Sequence, residues 1–345
     1  MVFKRLLGSL GVGGPTVDTV LTPGVAVPGG SLSGQVHLLG GTDDFDIEHI
    51  TLEFVARVGA EHEDGESHGA VVFDRFLIGG GCRLPAGAEH SVPFTVTLPW
   101  ETPVTELYGQ GLGIVLGVRT ELSVAGAKDT GDLDPLVVGP LPVQEAILEA
   151  FGRLGFGFRS ADLEYGRIAG TGQQLPFYQE IELAPSPKYA HTVNEIEVTF
   201  LATPGDMEVI LEADKRGGLF SDGHDAVTRF TVSQDGVHHQ DWNALVDGWM
   251  RQLVEHRAAY GQHAAHGQDY GHGHGYGDHG DHHQHDDGHR SGPGMGTAVA
   301  AGAAGVAVGV VGVVGGMVAA EVVDEIGDFF EGDDEEGGEG EGGED

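Results

Sequence analysis

The sequence predicts an all-β fold of two antiparallel β-sandwich lobes in tandem, with a connecting helix, a second helix after the second lobe and a low-complexity C-terminal extension. Short segments of alternating apolar and polar residues, separated by Gly- and Pro-rich breaks, occupy most of the first 233 residues. The apolar period changes from two to 3.6 twice, between the lobes and after the second one. The length of 345 residues also favours two folded units over one.

The first half contains the clearest strand pattern. Leu52, Phe54, Ala56 and Val58 alternate with Thr51, Glu53, Val55 and Arg57, which predicts a strand with one buried face. The same reasoning predicts strands at 31–39, 70–78, 90–98 and 113–125. Breaks between the strands are predicted at 28–30, 40–41, 61–68 and 79–81, where glycine, proline or charged residues cluster.

The stretch 90–105, HSVPFTVTLPWETPVT, joins a strand to a rigid loop. Val92, Phe94, Val96 and Leu98 alternate, and Pro99 and Pro103 then prevent continuation of the strand because proline has no backbone N–H to donate.

Two helices interrupt the strands. Apolar residues at helical spacing across 142–154 predict the connecting helix, and Pro142 suits its first turn. Strands follow at 196–200, 207–211 and 226–233. A second helix is predicted at about 240–257, and its Trp242 and Trp249 are interpreted as core residues rather than a ligand site.

Seven segments in the same order across 1–257 resemble the bacterial sporulation-control (SpoOM-type) family, which is arrestin-like. They are FKRLLGSLGVGGPTVDTVL, VPGGSLSGQVHLLGG, ITLEFVARV, LPAGAEHSVPFTVTLPWETPVT, PLPVQEAILEAFGRLGFGFRSADLEYG, QQLPFYQEIEL and NEIEVTFLATPGDMEVILEADKRGG. The resemblance implies two arrestin-like sandwiches, a role in sporulation or a related developmental decision, and no catalytic residues.

Composition and resemblance together divide the chain into five parts. We expect an N-terminal arrestin-like sandwich at 1–138, a linker helix with the C-terminal sandwich and closing helix at 139–257, a His/Gly-rich flexible linker at 258–294, a Gly/Ala/Val apolar segment at 295–320 and an acidic tail at 321–345.

The net charge of −37 excludes several classes of partner. Nucleic acids and anionic membrane surfaces both need clustered Lys and Arg, which this chain lacks. The chain has no HExxH, GxSxG or Walker sequence, and its single Cys82 cannot form an intrachain disulfide. We therefore expect a cytoplasmic protein that is not an enzyme. The loop acids Asp43, Asp44 and Asp46 are interpreted as a solvated turn, although carboxylates at such a place can hold a hard cation.

The linker contains histidines that are candidate metal ligands. Neutral imidazoles bind Zn²⁺ or Ni²⁺, and closely spaced ones chelate without a fixed fold. The candidates are His272, His274, His279, His282, His283 and His285. A plain flexible linker is the alternative interpretation.

The uncharged segment 295–320 is long enough to span a bilayer. Glycines and alanine at spacings of three and four form a stripe that allows close helix approach, as at Gly305/Gly309 and Gly312/Gly316. The run lacks Leu, Ile and Phe, so three interpretations stay open: membrane contact, self-association in water, and a tail without a fixed fold.

The function predicted from the sequence is a non-enzymatic arrestin-like scaffold that binds other proteins through sandwich edges and loops. The alternative is a metal- or stress-responsive factor that uses the His-rich tract.

Overall fold

The computed structural model describes residues 5–7, 13–62, 65–126, 129–213 and 227–266, and the chain is mostly β with two α-helices, as the sequence predicts. The strands are β1 (Arg5–Leu7), β2 (Thr16–Leu21), β3 (Ser31–Leu39), β4 (Phe45–His62), β5 (Gly65–Leu84), β6 (Glu89–Thr97), β7 (Glu106–Leu107), β8 (Gln110–Gly111), β9 (Leu116–Val124), β10 (Thr130–Pro135), β11 (Gly157–Tyr165), β12 (Phe177–Ala184), β13 (Ile196–Ala202), β14 (Asp206–Ala213) and β15 (Val227–Ser233). The helices are α1 (Pro142–Arg153) and α2 (Trp242–His266), and a short 3-10 turn lies at Val237–His239.

The first lobe, strands β2 to β10, packs two sheets face to face. Strands β10, β9, β4 and β5 form one sheet in that order, and β2, β3 and β6 form the other. Leu52 and Phe54 of β4 and Val36 of β3 are fully buried between the sheets. Alternation therefore predicted the inner face of the lobe correctly.

The outer face of β4 is also buried at its centre. Glu53 is fully buried and forms ion pairs with Arg119 of β9 and Arg75 of β5. A buried carboxylate needs such partners because removal of its hydration is costly. The alternating pattern predicted only one buried face for this strand. The cross-strand ion pairs of Glu53 explain how a charged residue on the other face can also be buried.

A polar contact fixes the two sheets of the first lobe relative to each other. Thr19 of β2 and Thr120 of β9 share a hydrogen bond of 2.6 Å between their hydroxyls. The backbone N–H of Thr19 donates to the Asp132 carboxylate at 2.6 Å. Since these groups are buried, loss of one partner would leave the other unsatisfied.

The break predicted at 79–81 is wrong, because β5 continues through it to Leu84. The ladder between β4 and β5 shifts register between Ile50 and Thr51, which marks a bulge. Gly80 has a φ of 129°, and a Cβ there would lie 2.2 Å from the Glu48 carbonyl oxygen. The glycines therefore bend a continuous strand instead of ending it.

The second lobe consists of α1, β11 to β15 and α2. Its described strands run antiparallel in sequence order, and both helices pack on one face of them. Ile147 and Phe151 of α1 and Trp249 and Met250 of α2 are buried there, with Val198 at the centre of the sheet. Alpha1 begins at Pro142 as predicted, and the Leu141 N–H donates to the Gln144 side chain at 2.8 Å, which caps its first turn.

Helix α2 continues to His266, beyond the predicted end near 257. Residues 258–266, AAYGQHAAH, are rich in alanine, which has the highest helix propensity and favours continuation of the helix. None of the helices in the described part of the chain combines the length and the apolar composition that a membrane span requires.

Candidate functional site

The LPWETP loop after β6 joins the two lobes. The Glu101 carboxylate accepts hydrogen bonds of 2.8–2.9 Å from the backbone N–H groups of Gln174 and Leu175, just before β12. Burial raises the pKa of the Glu101 carboxyl above its usual range, and the bonds from Leu175 and Gln174 offset that effect in part. The loop of the first lobe that contains Glu101 is therefore hydrogen-bonded to the backbone just before β12 of the second lobe.

Further contacts join the lobes at and beside this inter-lobe junction, which we define as residues 99–105 and 173–179. The Val104 N–H donates to the Gln179 side-chain oxygen at 2.9 Å, and the Gln179 amide donates back to the Val104 carbonyl at 2.8 Å. Phe177 of β12 lies in the core of the first lobe, edge-on to Phe73 at 5.6 Å. Beta11 also pairs with β4 at Glu164 and Gly59. The lobes therefore share a core and a sheet.

Trp100, in the same loop, contacts the second lobe. Its ring packs against the core of α1, α2 and their sheet. A Cβ on Gly29 would lie 2.5 Å from the ring, so only glycine leaves room for it.

A groove opens beside the junction. It has a volume of about 470 Å³ and lies between the β7–β8 hairpin of the first lobe and helix α1 with strands β11 and β12 of the second. We call it the aromatic groove, and its apolar lining consists of Leu107, Tyr108, Leu112, Leu148, Phe151, Phe156, Phe158, Ile181 and Leu183. The charged side chains in the lining are Glu149 and Arg153, which pair with each other one turn apart on α1. Such a lining suits apolar binding rather than proton transfer.

Two aromatic side chains at this groove are exposed, Tyr108 at 64% and Phe158 at 50%. Tyr108 lies at the tip of the two-residue hairpin between β7 and β8 with a φ of 54°, and Gly109 follows with a φ of 75°. Two positive φ values define a type I′ turn, where Asn-Gly is the favoured pair. Tyr108 is mostly exposed, so burial offsets little of the unfavourable backbone, and an exposed aromatic side chain in such a turn is a candidate for binding.

Charge near Tyr108 is negative on balance. Partial burial, followed by the carboxylates of Glu145 and Glu149, raises the pKa of the Tyr108 hydroxyl, and Arg153 opposes the shift. The rim on the α1 side therefore favours a cationic neighbour.

Several residues singled out in the sequence have ordinary structural roles. Trp249 stacks on Phe230 at 4.8 Å, and Trp242 donates its indole N–H to the Val237 carbonyl at 2.8 Å, which confirms the interpretation of both as core residues. Asp44 accepts hydrogen bonds from the Ala86 N–H at 3.0 Å and from Arg83 at 2.9 Å, and these two partners lower its pKa. The acidic loop thus holds a turn together.

The predicted metal ligands His272, His274, His279, His282, His283 and His285 lie outside the described residues. The segments 295–320 and 321–345 lie outside them as well. Zinc or nickel binding, membrane contact and self-association therefore stay predictions.

The structure brings together three carboxylates that the sequence reasoning did not single out. Ligand atoms of Asp162, Glu164 and Glu180 lie within 4.8 Å of one another on β11 and β12. The sequence feature that could have predicted this cluster is the alternation of acidic residues in ADLEY and FYQEIEL. Residues two positions apart in a strand lie on the same face of a sheet. Acidic clusters of this kind are common without a bound ion.

Comparison with known proteins agrees with the resemblance seen in the sequence. The model of the SpoOM protein family matches residues 3–217. The sporulation-control protein spo0M of Bacillus subtilis (strain 168) is 34% identical over 242 residues, which are 67% of this chain and 91% of that protein. The crystal structure of Spo0M, sporulation control protein, from Bacillus subtilis matches with a TM-score of 0.63 and 30% identity, over 71% of this chain and 100% of that one. The family match spans most of the two lobes, including the inter-lobe junction, and the chain belongs to the SpoOM family.

Proposed function

We propose that this chain is a non-enzymatic, arrestin-like regulator of sporulation or a related developmental decision, and that it acts by binding other proteins. The observation that carries the proposal is the aromatic groove between two joined lobes, with Tyr108 and Phe158 exposed at its rim. Exposed aromatic anchors next to an apolar pocket are typical of protein-binding surfaces.

The family supports the developmental part of the proposal. The relative that shares both lobes is named a sporulation-control protein. The match spans 91% of that protein. Fold alone does not define function, so the proposal rests on the groove and the family together.

Sandwich edges and loops offer further contacts. Beta15 ends the long sheet in the described part of the chain. Edge strands of this kind accept an added strand from a partner through backbone hydrogen bonds.

Deletion of the gene in the organism that encodes the chain tests the proposal. We expect a changed frequency or timing of the developmental decision, restored by the full-length chain in proportion to its amount, because a binding regulator acts stoichiometrically. An unchanged decision after deletion, with growth also unchanged, would contradict the developmental role.

The apolar segment 295–320 would tether the regulator to a membrane or hold copies of it together. Alkali-washed membranes separate the two roles. A membrane anchor stays with the washed membrane, whereas a self-association element leaves with the soluble fraction as an oligomer.

A metal- or stress-responsive role is the second candidate, and the histidines at 272–285 favour it. Calorimetry with Zn²⁺ on the full-length chain and on a chain lacking 258–292 tests it. The proposal predicts tight uptake that the deletion abolishes, and equal uptake by both chains would contradict it.

A further inference from the structure

The aromatic groove has a chemical preference that narrows its partner. We propose that it binds an amphipathic helix of another protein, with large apolar side chains on one face and Lys or Arg beside them. This inference deepens the proposed function and rests on it, since it names the kind of partner that the regulator would bind.

The elements that line the groove leave an apolar surface for a helix. The groove has a volume of about 470 Å³ and is lined by Leu148 and Phe151 of α1 and by residues of the β7–β8 hairpin. A helix that places apolar residues at i, i+3 or i+4, and i+7 into an apolar trough is a common mode of peptide recognition.

Its rims provide anchors of the kind that dominate binding energy. Tyr108 and Phe158 project from separate elements, a hairpin of the first lobe and a strand of the second. Aromatic side chains at such positions bury large areas on binding and lose little conformational entropy.

The charge beside the groove favours a basic partner. Glu145 and Glu149 are both exposed on α1, and the ion pair with Arg153 offsets only one of these two negative charges. A basic helix would place its cations beside these carboxylates and over the Tyr108 ring, where a cation–π contact is available. The same carboxylates disfavour the chain's own segment EVVDEIGDFFEG at 321–332, which is apolar but acidic.

Peptide binding to the full-length chain tests this inference. The probes are a labelled helical peptide of Leu and Lys with heptad spacing, the same peptide with Glu in place of Lys, and a synthetic peptide of residues 321–332. We expect fluorescence anisotropy to detect binding of the Leu/Lys peptide, with both acidic peptides weaker by about tenfold or more, a factor that corresponds to 1.4 kcal/mol.

Two variants separate the groove from general attraction to an acidic protein. Tyr108→Asn with Phe158→Ser keeps every formal charge, and we expect it to weaken the Leu/Lys peptide about tenfold or more, as loss of aromatic anchors does. Leu77→Ser removes an equally exposed apolar side chain on β5 and should leave binding unchanged. Thermal unfolding of both variants verifies that they fold.

Equal binding by the double variant and the wild type would overturn the inference, because the peptide would then be held by charge elsewhere. Stronger binding of the 321–332 peptide would also overturn it and make the chain's own tail the occupant. If the Leu/Lys peptide binds as expected while gene deletion changes no developmental decision, the groove inference stands and the proposed function fails.

Discussion

At the scale of single residues, Glu101 has a role that its sequence position alone does not reveal. One carboxylate accepts hydrogen bonds from two consecutive backbone N–H groups more than 70 positions further along the chain. Bonds to a charged acceptor are stronger than bonds between neutral groups. This side chain therefore helps to join the two lobes, next to the apolar contacts of Trp100 and Phe177.

We predict that Glu101→Ala lowers the free energy of unfolding by about 1–3 kcal/mol, the usual cost of leaving buried hydrogen-bonding groups unsatisfied. Chemical denaturation of the full-length chain measures the change. The control is Glu48→Ala, which truncates an exposed glutamate and should stay within about 0.5 kcal/mol of the wild type. Equal stability of the two variants would show that the Glu101 contacts contribute nothing.

Asp247 of α2 provides a prediction for pH. Its carboxylate accepts hydrogen bonds from Lys188 and from the Tyr189 hydroxyl, and these bonds, Lys188 first, lower its pKa below the usual 3.8. A lowered pKa means that the folded state prefers the charged form. The stabilisation is therefore complete at pH values well above 3.8 and is lost as the pH falls through the lower, folded-state pKa.

Asp247→Asn should consequently reduce the acid dependence of stability below pH 3.8 and leave the remainder of the curve parallel to that of the wild type. Thermal unfolding between pH 7 and pH 2 measures this dependence. Lys188 is largely exposed, so we expect the difference to shrink with added salt. Identical acid dependence of the two proteins would contradict the assignment.

At the scale of elements, most strands and both helices could be predicted because each follows from a local pattern. The apolar residues alternate in 51–58 and recur with a period of 3.6 in 142–154. Each pattern depends only on which face of that strand or helix is buried. The continuation of β5 past Gly79 could not be predicted in this way, because glycine is equally suited to a turn and to a bulge. The positive φ at Gly80 arises from pairing with β4, which is not a local property.

Gly80 is accordingly a sensitive position in β5. We predict that Gly80→Ala lowers the free energy of unfolding by more than about 1 kcal/mol, since an alanine there adopts a strained backbone and meets the Glu48 carbonyl. Gly69→Ala in the same strand is the matched control, because a Cβ there has nothing within 4 Å. Comparable losses at the two positions would contradict the bulge.

The hairpin of β11 and β12 is the element that unites the lobes. Phe177 belongs to the sheet of the second lobe, yet its ring is buried in the core of the first. We predict that Phe177→Ala costs about 3–5 kcal/mol, the usual cost of truncating a buried Phe. Unfolding of this variant, followed separately by fluorescence and by circular dichroism, should show a weaker coupling of the lobes. A loss below 1 kcal/mol would mean that the ring is not packed as described.

At the scale of the whole molecule, the sequence predicted two lobes and their order but not how they are joined. The pairing of β4 with β11 and the bonds from Glu101 and Gln179 link residues more than 70 positions apart, and no periodicity records such contacts. The aromatic groove was missed for the same reason. One feature of the sequence points toward the groove: Tyr108-Gly109 stands in a turn where Asn-Gly is the favoured pair.

The strong negative charge of the chain bears on the proposed function. It would disfavour acidic partners at long range, and the proposed contact at the aromatic groove would then be with a basic partner. In this proposal, Tyr108 and Phe158 would contact the partner, and these residues are distinct from those of the inter-lobe junction.

Photo-cross-linking inside cells during the developmental decision tests the central claim most directly. A photoreactive amino acid replaces Phe158 in the full-length chain, and the same replacement at the exposed Leu77 is the control. The account predicts a protein adduct from position 158 that position 77 does not give, and its loss when Tyr108→Asn is added. Absence of an adduct at position 158, together with a normal developmental decision in cells that carry Tyr108→Asn and Phe158→Ser, would contradict it.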